Sequence, residues 1–131
     1  MNILVDTQIL VWSFDVYSPL SKKHKALLED VSNKIFVSQV SLMELAIKKS
    51  LNKLPEFVPD ISVVRDQLLN NGFDLLKLKD EHIFAYQHLP FYKEHKDPFD
   101  RFLIATAQQE NFTLVTTDAK FQMYTSLVEI I

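Results

Sequence analysis

Short apolar runs alternate with amphipathic stretches along the whole chain. A short run that is apolar throughout is typical of a strand buried on both faces, and such runs predict strands at residues 2–5, 35–37, 73–78, 112–116 and 127–131. Apolar positions at helical spacing predict helices between them, at residues 7–14, 21–30, 41–51, 61–70, 80–88, 98–110 and 119–124. Strands that alternate with helices favour an α/β fold, in which a parallel sheet is flanked by helices on both faces. A chain of 131 residues is predicted to form one domain, residues 1–131.

Four acidic residues stand where predicted strands give way to helices: Asp6, Glu44, Asp100 and Asp118. In an open parallel sheet, side chains just beyond the carboxyl ends of the strands converge on one crevice. Carboxylates held close together repel one another unless a positive charge lies among them. Hard oxygen ligands of this kind favour Mg²⁺ or Mn²⁺. The pattern therefore predicts a metal-dependent enzyme that acts on phosphate, with these four acids as catalytic and metal-binding residues.

Each acid also has a local explanation that requires no chemistry. Asp6 and Asp118 would cap the helices that follow them, and Ser41-Leu42-Met43-Glu44 matches the capping-box pattern S-x-x-E. Asp97 is an ideal cap ahead of Pro98, so its role as an auxiliary metal ligand or as a helix cap stays open. Capping does not explain why Asp6 follows a buried strand with no lysine or arginine nearby in sequence.

Three polar residues near these acids are candidates for binding the substrate. Arg101 follows Asp100 directly, and it would either pair with a carboxylate or contact a phosphate. Thr116 and Thr117 precede Asp118 and would position a water or a phosphate, although β-branched residues are also ordinary at the end of a strand. The histidines His82, His88 and His95 show no metal-binding spacing and are expected at the surface.

Composition excludes several classes of site. The single glycine excludes a P-loop and a G-x-G-x-x-G dinucleotide turn, and the absence of cysteine excludes thiolate zinc sites and cysteine nucleophiles. The net charge of −3 includes the four candidate acids, without which it would be +1, so it decides nothing about nucleic-acid binding. The chain shows no basic leader before its first apolar run and no membrane-length apolar stretch, so a cytoplasmic protein without a membrane segment is expected.

Four blocks of residues together resemble the PIN-domain ribonucleases, and most closely the VapC toxins of toxin–antitoxin pairs. The blocks are Leu4-Val5-Asp6-Thr7, Ser38-x-x-Ser41-x-x-Glu44-x-Ala46-x-Lys48, Asp97-Pro98-Phe99-Asp100-Arg101-x-Leu103-Ile104-Ala105-x-Ala107, and Leu114-Val115-Thr116-x-Asp118-x-x-Phe121. They run in the family's order from near the start of the chain almost to its end. The third block is the most specific of them, and all four of the family's metal-binding acids are present.

The resemblance implies a sheet with strand order 3-2-1-4-5, dependence on Mg²⁺ or Mn²⁺, and endonucleolytic cleavage of RNA. It also implies a homodimer and a small antitoxin that inserts a segment near the site. Four large apolar residues near helix ends and loops are expected to take part in these contacts: Trp12, Phe14, Phe91 and Tyr92.

Other functions compatible with an α/β fold fit the residues less well. A haloacid-dehalogenase-type phosphatase requires D-x-D after its first strand, whereas this chain has Asp6-Thr7-Gln8. A response-regulator receiver requires an adjacent acidic pair near that strand, and Asp6 stands alone. The alternative that remains is a non-catalytic PIN-like module that binds RNA or protein and uses its acids only as helix caps.

Overall fold

A four-stranded parallel sheet lies at the centre of the structure, a computed structural model that describes residues 1–131. The strands are β1 (Asn2–Val5), β2 (Lys34–Ser38), β3 (Asp74–Leu76) and β4 (Thr113–Val115). Their order across the sheet is β3-β2-β1-β4, and all neighbours are parallel. The predicted α/β fold with a parallel sheet is confirmed, and β1 is a central strand as its apolar run requires.

Six α-helices and one short 3₁₀ helix connect and cover the strands. They are α1 (Thr7–Ser13), α2 (Lys22–Glu29), α3 (Gln39–Ser50), α4 (Ile61–Asn70), α5 (Asp80–Tyr86), α6 (Pro98–Glu110) and the 3₁₀ helix (Ala119–Tyr124). The only glycine, Gly72, follows α4 with a φ of 85°, a backbone conformation that other residues rarely adopt. None of the helices combines the length and the apolar run that crossing a bilayer would require.

The core has two halves, one on each face of the sheet. Ile3 and Val5 of β1 pack with apolar residues of α1, α3 and α4, whereas Leu4 packs on the other face against Leu103 and Ile104 of α6. All three β1 residues are at most 1% exposed. Burial on both faces explains why the strand is apolar throughout rather than alternating.

The predicted fifth strand at residues 127–131 is reduced to one parallel bridge between Leu114 and Ile130. The 3₁₀ helix and the turn after it hold the preceding chain away from the sheet, since the amides of Leu127 and Val128 both donate to the carbonyl of Tyr124. Only the last three residues reach β4, and the amide of Ile131 donates to the carbonyl of Leu114. The segment therefore occupies the predicted edge of the sheet without forming a strand.

Candidate active site

The carboxyl end of β1 places Asp6 beside β4. Val5 is paired with Val115 in the sheet, so the next residues along the two strands, Asp6 and Thr116, are neighbours. The Asp6 Oδ1 accepts a hydrogen bond from the amide of Ile9 (2.8 Å) and caps α1. Its Oδ2 accepts from the Thr116 hydroxyl (2.5 Å). The side chain is thus fixed by one amide and one hydroxyl, and no cation compensates its charge.

Helix α3 brings Glu44 to the same end of the sheet. The Glu44 carboxylate is buried, accepts a hydrogen bond from the Thr7 hydroxyl (2.7 Å) and forms an ion pair with Lys48 (2.8 Å). The predicted capping box is wrong, because α3 begins two residues earlier and Ser38 is its N-cap, accepting from the amide of Val40. Ser41 instead lies inside the helix, where its hydroxyl oxygen is 3.1 Å from that of Thr7.

The start of α6 carries Asp97 and Asp100. Asp97 is the N-cap, and its Oδ1 accepts hydrogen bonds from the amides of Phe99 (2.8 Å) and Asp100 (3.2 Å). Pro98 follows in the first turn, where its lack of an amide proton costs nothing. The Asp100 Oδ2 lies 3.1 Å from Nε2 of His95, so this carboxylate has a hydrogen-bond partner outside its own helix.

Asp118 follows β4 and caps the 3₁₀ helix by accepting from the amide of Lys120 (2.9 Å). The amide of Asp118 itself donates to the Thr116 hydroxyl oxygen (3.0 Å). Because that hydroxyl also donates to Asp6, Thr116 links the two acids. The Thr116 hydroxyl thus holds the Asp6 carboxylate beside the backbone of Asp118.

These acids line one cavity of about 240 Å³ at the carboxyl edge of the sheet. Its polar lining consists of all four predicted acids together with Asp97, Thr7, Gln8, Lys48 and Thr117. Arg101 does not line it: its Nη1 donates to the carbonyl of Pro90 (2.9 Å) and to the Tyr124 hydroxyl (3.2 Å). The chain thus brings five carboxylates to one place, and it directs Arg101 into the protein interior.

The family model described as "PIN domain" matches residues 3–126 of this chain. The chain belongs to the PIN domain family. No curated protein matches the sequence. The match to the PIN domain model confirms, at the level of the family, the resemblance noted in the sequence motifs.

Solved structures with the same fold include members of the VapBC family of toxin–antitoxin systems. A chain of VapBC2 from Rickettsia felis, bound to a fragment of its promoter DNA, is 22% identical with a TM-score of 0.70, and the match covers 100% of this chain and 98% of that one. A chain of FitAcB from Neisseria gonorrhoeae is 19% identical with a TM-score of 0.63, covering 98% and 96%. A chain of VapBC-5 from Mycobacterium tuberculosis, a member of the VapBC family of toxin–antitoxin systems, is 14% identical with a TM-score of 0.58, covering 99% and 95%. At these identities the likeness establishes a VapC-like PIN fold.

Burial and mutual repulsion raise the pKa of two acids of this PIN domain. Burial is the largest cause at Asp6, and the charges of Asp118 and Glu44 add to it, against hydrogen bonds from Thr116 and Ile9 that lower it. Burial is again the main cause at Asp100, whose pKa is raised from 3.8 to about 6 although the hydrogen bond with His95 opposes the shift. At both acids the pKa is raised mainly because burial penalises the ionised form, and neighbouring carboxylates add to the shift.

The donor chemistry of the cavity fits Mg²⁺ or Mn²⁺, since every acidic ligand is a hard carboxylate oxygen. With the side chains in their present rotamers, however, no three His, Asp or Glu residues converge on a common point that would hold an ion. The reason is local: Asp6, Asp97 and Asp118 each accept hydrogen bonds from backbone amides, and Glu44 is drawn to Lys48. Binding an ion requires some of these side chains to rotate toward the cavity.

Sequence reasoning missed three residues that contact the acids. Thr7 bonds Glu44, and the Asp6-Thr7 dipeptide of the first motif block already contained it. Lys48 lies one helical turn beyond Glu44, a spacing that favours an ion pair. His95, expected at the surface, is 2% exposed, and His82 is 1% exposed; the surface expectation is wrong for both. Nothing in the local sequence of these histidines signals burial.

The raised pKa of Asp100 predicts how the stability of this site depends on pH. Between pH 3.8 and about 6 the unfolded chain has released the Asp100 proton whereas the folded protein still holds it, so folding loses stability as pH rises through this window. Asparagine does not titrate. The stability advantage of Asp100→Asn over the natural chain should therefore grow through that window by roughly 1–2 kcal/mol, allowing for solvent screening, and then level off.

Urea unfolding of both proteins in the presence of a chelator, at several pH values across this range, measures the difference directly. An advantage of Asp100→Asn that is constant or shrinks with rising pH would contradict the assigned direction of the shift.

Proposed function

We propose that this PIN domain is an Mg²⁺- or Mn²⁺-dependent endoribonuclease and the toxin of a toxin–antitoxin pair. The observation that carries the proposal is that five carboxylates line one cavity, with Asp6 only 4% exposed and bonded by no cation. Burying an uncompensated carboxylate is costly, so a fold that does so retains it for a reason other than stability. A divalent cation in the cavity would remove that cost and account for the residue types present.

Within this proposal, Asp6, Asp100 and Asp118 are the principal metal ligands, and Glu44 binds the metal directly or through water, or orients the attacking water. A bound divalent ion would lower the pKa of a water and offset charge on the phosphoryl oxygens of an RNA phosphodiester. The chain's own residues supply the positioning. Thr116 holds Asp6, and Thr7 holds Glu44, through hydroxyl hydrogen bonds of 2.5 and 2.7 Å. Lys48 pairs with Glu44 at the cavity wall, and its side chain remains 44% exposed, within reach of an anionic substrate.

The test is incubation of the purified protein with total cellular RNA in Mg²⁺ or Mn²⁺, followed by mapping of the new RNA ends. Discrete cleavage products that disappear with a chelator are expected, and single-stranded DNA of matched length serves as the control for substrate class. Absence of cleavage in both metals, by protein shown to bind them, would overturn the nuclease assignment.

Asp97 should matter less for cleavage than Asp100. Asp97 acts as an N-cap through its Oδ1, and asparagine caps helices about as well as aspartate. We therefore expect Asp97→Asn to retain cleavage within about tenfold of the natural chain, because only its charge at the cavity rim is lost. Rates measured side by side on one RNA decide the point: a loss in Asp97→Asn as large as that in Asp100→Asn would make Asp97 a ligand.

An antitoxin segment has a suitable groove next to the cavity. The groove has a volume of about 650 Å³ between α1 and residues 53–59, includes Trp12 and Phe14, and shares Gln8, Val11 and Leu54 with the carboxylate cavity. A peptide bound there would extend to the acids and block them. Trp12→Ala should weaken binding of the cognate antitoxin without weakening Mn²⁺ binding, and unchanged antitoxin binding would rule the groove out.

A homodimer is proposed from a separate surface. An apolar depression of about 480 Å³ lies between α3, α5, α6 and the loop before α5. It is lined by Val40, Met43, Leu78, Ile83 and Phe99. Met43 is 52% exposed, and Leu78 and Ile83 are each 48% exposed, values that favour a protein contact. Light scattering at micromolar concentration should give about twice the mass of the 15.3 kDa chain, and Met43→Glu should return it to that mass. A natural chain that is monomeric would contradict the dimer.

RNA and antitoxin partners imply a cytoplasmic location.

The capping hydrogen bonds favour one alternative, a non-catalytic PIN domain that binds RNA or protein. Asp6, Asp97 and Asp118 each satisfy the amino end of a helix, and Glu44 has a cation partner in the chain. A cap, however, works as well at the surface, and capping explains neither the burial of Asp6 nor the position of Asp100. The RNA cleavage assay separates the two functions.

A further inference from the structure

A hydrogen-bonded chain of side chains runs from the protein interior to Asp100. His95 lies in the loop before α6 and is buried, with its Nε2 3.1 Å from the Asp100 Oδ2 and its Nδ1 2.9 Å from the Tyr124 hydroxyl. Tyr124 is fully buried and receives a hydrogen bond from Nη1 of Arg101 (3.2 Å). Arg101 was predicted to pair with a carboxylate or to contact a phosphate; it pairs with no carboxylate, and its Nη1 donates to Pro90 and Tyr124 outside the carboxylate cavity.

Donor counting assigns a direction to this chain. A guanidinium carries only donors, so the Tyr124 oxygen accepts the hydrogen bond from Arg101. The Tyr124 hydroxyl proton is then free for His95 Nδ1, which accepts it. The ionised Asp100 carboxylate can only accept, so Nε2 carries the proton of the neutral imidazole and donates to Asp100, which leaves Nδ1 as the acceptor for Tyr124.

Packing holds the imidazole ring in this orientation. Its centroid lies 5.4 Å from the ring of Phe121 and 5.4 Å from that of Tyr124. The backbone amide of His95 donates to the carbonyl of Tyr92 (3.1 Å), and Arg101 is in turn held by the carbonyl of Pro90. A ring fixed on both sides, and bonded at both nitrogens, has little freedom to leave Asp100.

We propose that His95 is a positioning residue for the metal site: anchored by Tyr124 and Arg101, it fixes the orientation of the Asp100 carboxylate. The proposal rests on the proposed function, in which Asp100 is a metal ligand. His95 bonds Oδ2 of Asp100, so one oxygen of the carboxylate is held and Oδ1 is left for the metal. Hydrogen-bond partners that orient a ligating carboxylate typically change metal affinity or activity about 10–100-fold when removed.

Three variants of His95 test the role through Mn²⁺ affinity, measured by titration calorimetry on the full chain. Glutamine places an amide N–H near the position of Nε2, whereas asparagine reaches only the position of Nδ1 and leucine has no donor. We expect Mn²⁺ binding to weaken about 10–100-fold in His95→Leu and His95→Asn, and His95→Gln to recover most of the loss.

The chain provides a matched control in its other buried histidine. His82 is 1% exposed and its Nε2 lies 2.7 Å from Glu110, outside the carboxylate cavity. His82→Leu removes the same kind of buried histidine–carboxylate bond, so it reports the effect of lost stability alone. Equal losses of Mn²⁺ affinity in His82→Leu and His95→Leu, or no difference between His95→Gln and His95→Leu, would overturn the positioning role.

A spectroscopic measurement tests the hydrogen-bond chain without metal or activity. In protein labelled with ¹⁵N-histidine, His95 should show a bare Nδ1 and a protonated Nε2, and Tyr124→Phe should perturb that pattern. A protonated Nδ1 with a bare Nε2 would overturn the proposal. If the natural chain binds no Mn²⁺, the proposed function fails and the positioning role fails with it. If the natural chain and His95→Leu bind Mn²⁺ with equal affinity, only the positioning role fails.

Discussion

Asp6→Asn and Asp100→Asn are each expected to slow RNA cleavage at least about 100-fold while leaving the fold intact. The metal contributes several kcal/mol to such a reaction by stabilising charge in the transition state, and each 1.36 kcal/mol is worth a factor of ten in rate. Losing one of the principal carboxylate ligands removes much of that contribution. The comparison is of initial cleavage rates on one RNA at saturating Mg²⁺.

The fold should survive because the asparagine oxygen keeps one acceptor at each position, although the second acceptor at position 6, which receives the Thr116 hydroxyl, is lost. At position 6 its side-chain oxygen still accepts from the Ile9 amide, and asparagine is a good N-cap. The change also removes one of the mutually repelling charges that raise the pKa of the carboxyl groups. Thermal melts of the metal-free proteins should give equal or slightly higher Tm values for the variants. The matched control is Asp66→Asn, which changes an exposed acid paired with Arg65. Cleavage at the natural rate by Asp6→Asn or Asp100→Asn would show that the site is misassigned.

Mn²⁺ itself should stabilise the folded protein strongly. A ligand at 100 times its Kd that binds only the folded state adds about 2.7 kcal/mol to the free energy of unfolding, which for a domain of this size raises Tm by roughly 10 °C. The physical source is the repulsion among Asp6, Glu44 and Asp118 and the burial of Asp6, which a cation offsets. Melting curves with increasing Mn²⁺, and with a chelator as reference, measure the effect.

The same titration in Asp6→Asn separates binding at the cavity from binding elsewhere. The rise in Tm should be largely lost in that variant and fully kept in Asp66→Asn. An equal rise in all three proteins would place the bound ion outside the carboxylate cavity, and no rise in the natural chain would contradict metal binding there.

The fold and the candidate acids could be predicted because their signals are local or depend on strand order alone. The apolar run at residues 2–5 predicts a central strand, and β1 is buried on both faces. Once β1 and β4 are parallel neighbours, the residues after them must meet, which brings Asp6 and Asp118 to one cavity. The N-caps at Asp6, Asp97 and Asp118 were predictable because capping depends on only a few adjacent residues.

What could not be predicted depends on contacts between residues distant in the sequence. His95 is buried because Phe121 and Tyr124, beyond the end of α6, pack against its ring. Arg101 turns inward because the carbonyl of Pro90 and the Tyr124 hydroxyl accept its donors there. Ser38 and Ser41 are both chemically suitable caps, and only the length of β2 decides that the first of them starts α3.

A crystal of the natural chain soaked in Mn²⁺ and examined by anomalous scattering tests the central claim most directly, because the unliganded side chains do not converge on one point. The account predicts an anomalous peak in the cavity with carboxylate oxygens of Asp6, Asp100 and Asp118 rotated to within about 2.0–2.6 Å of it. Metal binding at this cavity would be contradicted by a crystal saturated with Mn²⁺ in which the cavity shows no anomalous peak and the acids keep the hydrogen bonds that they make without metal.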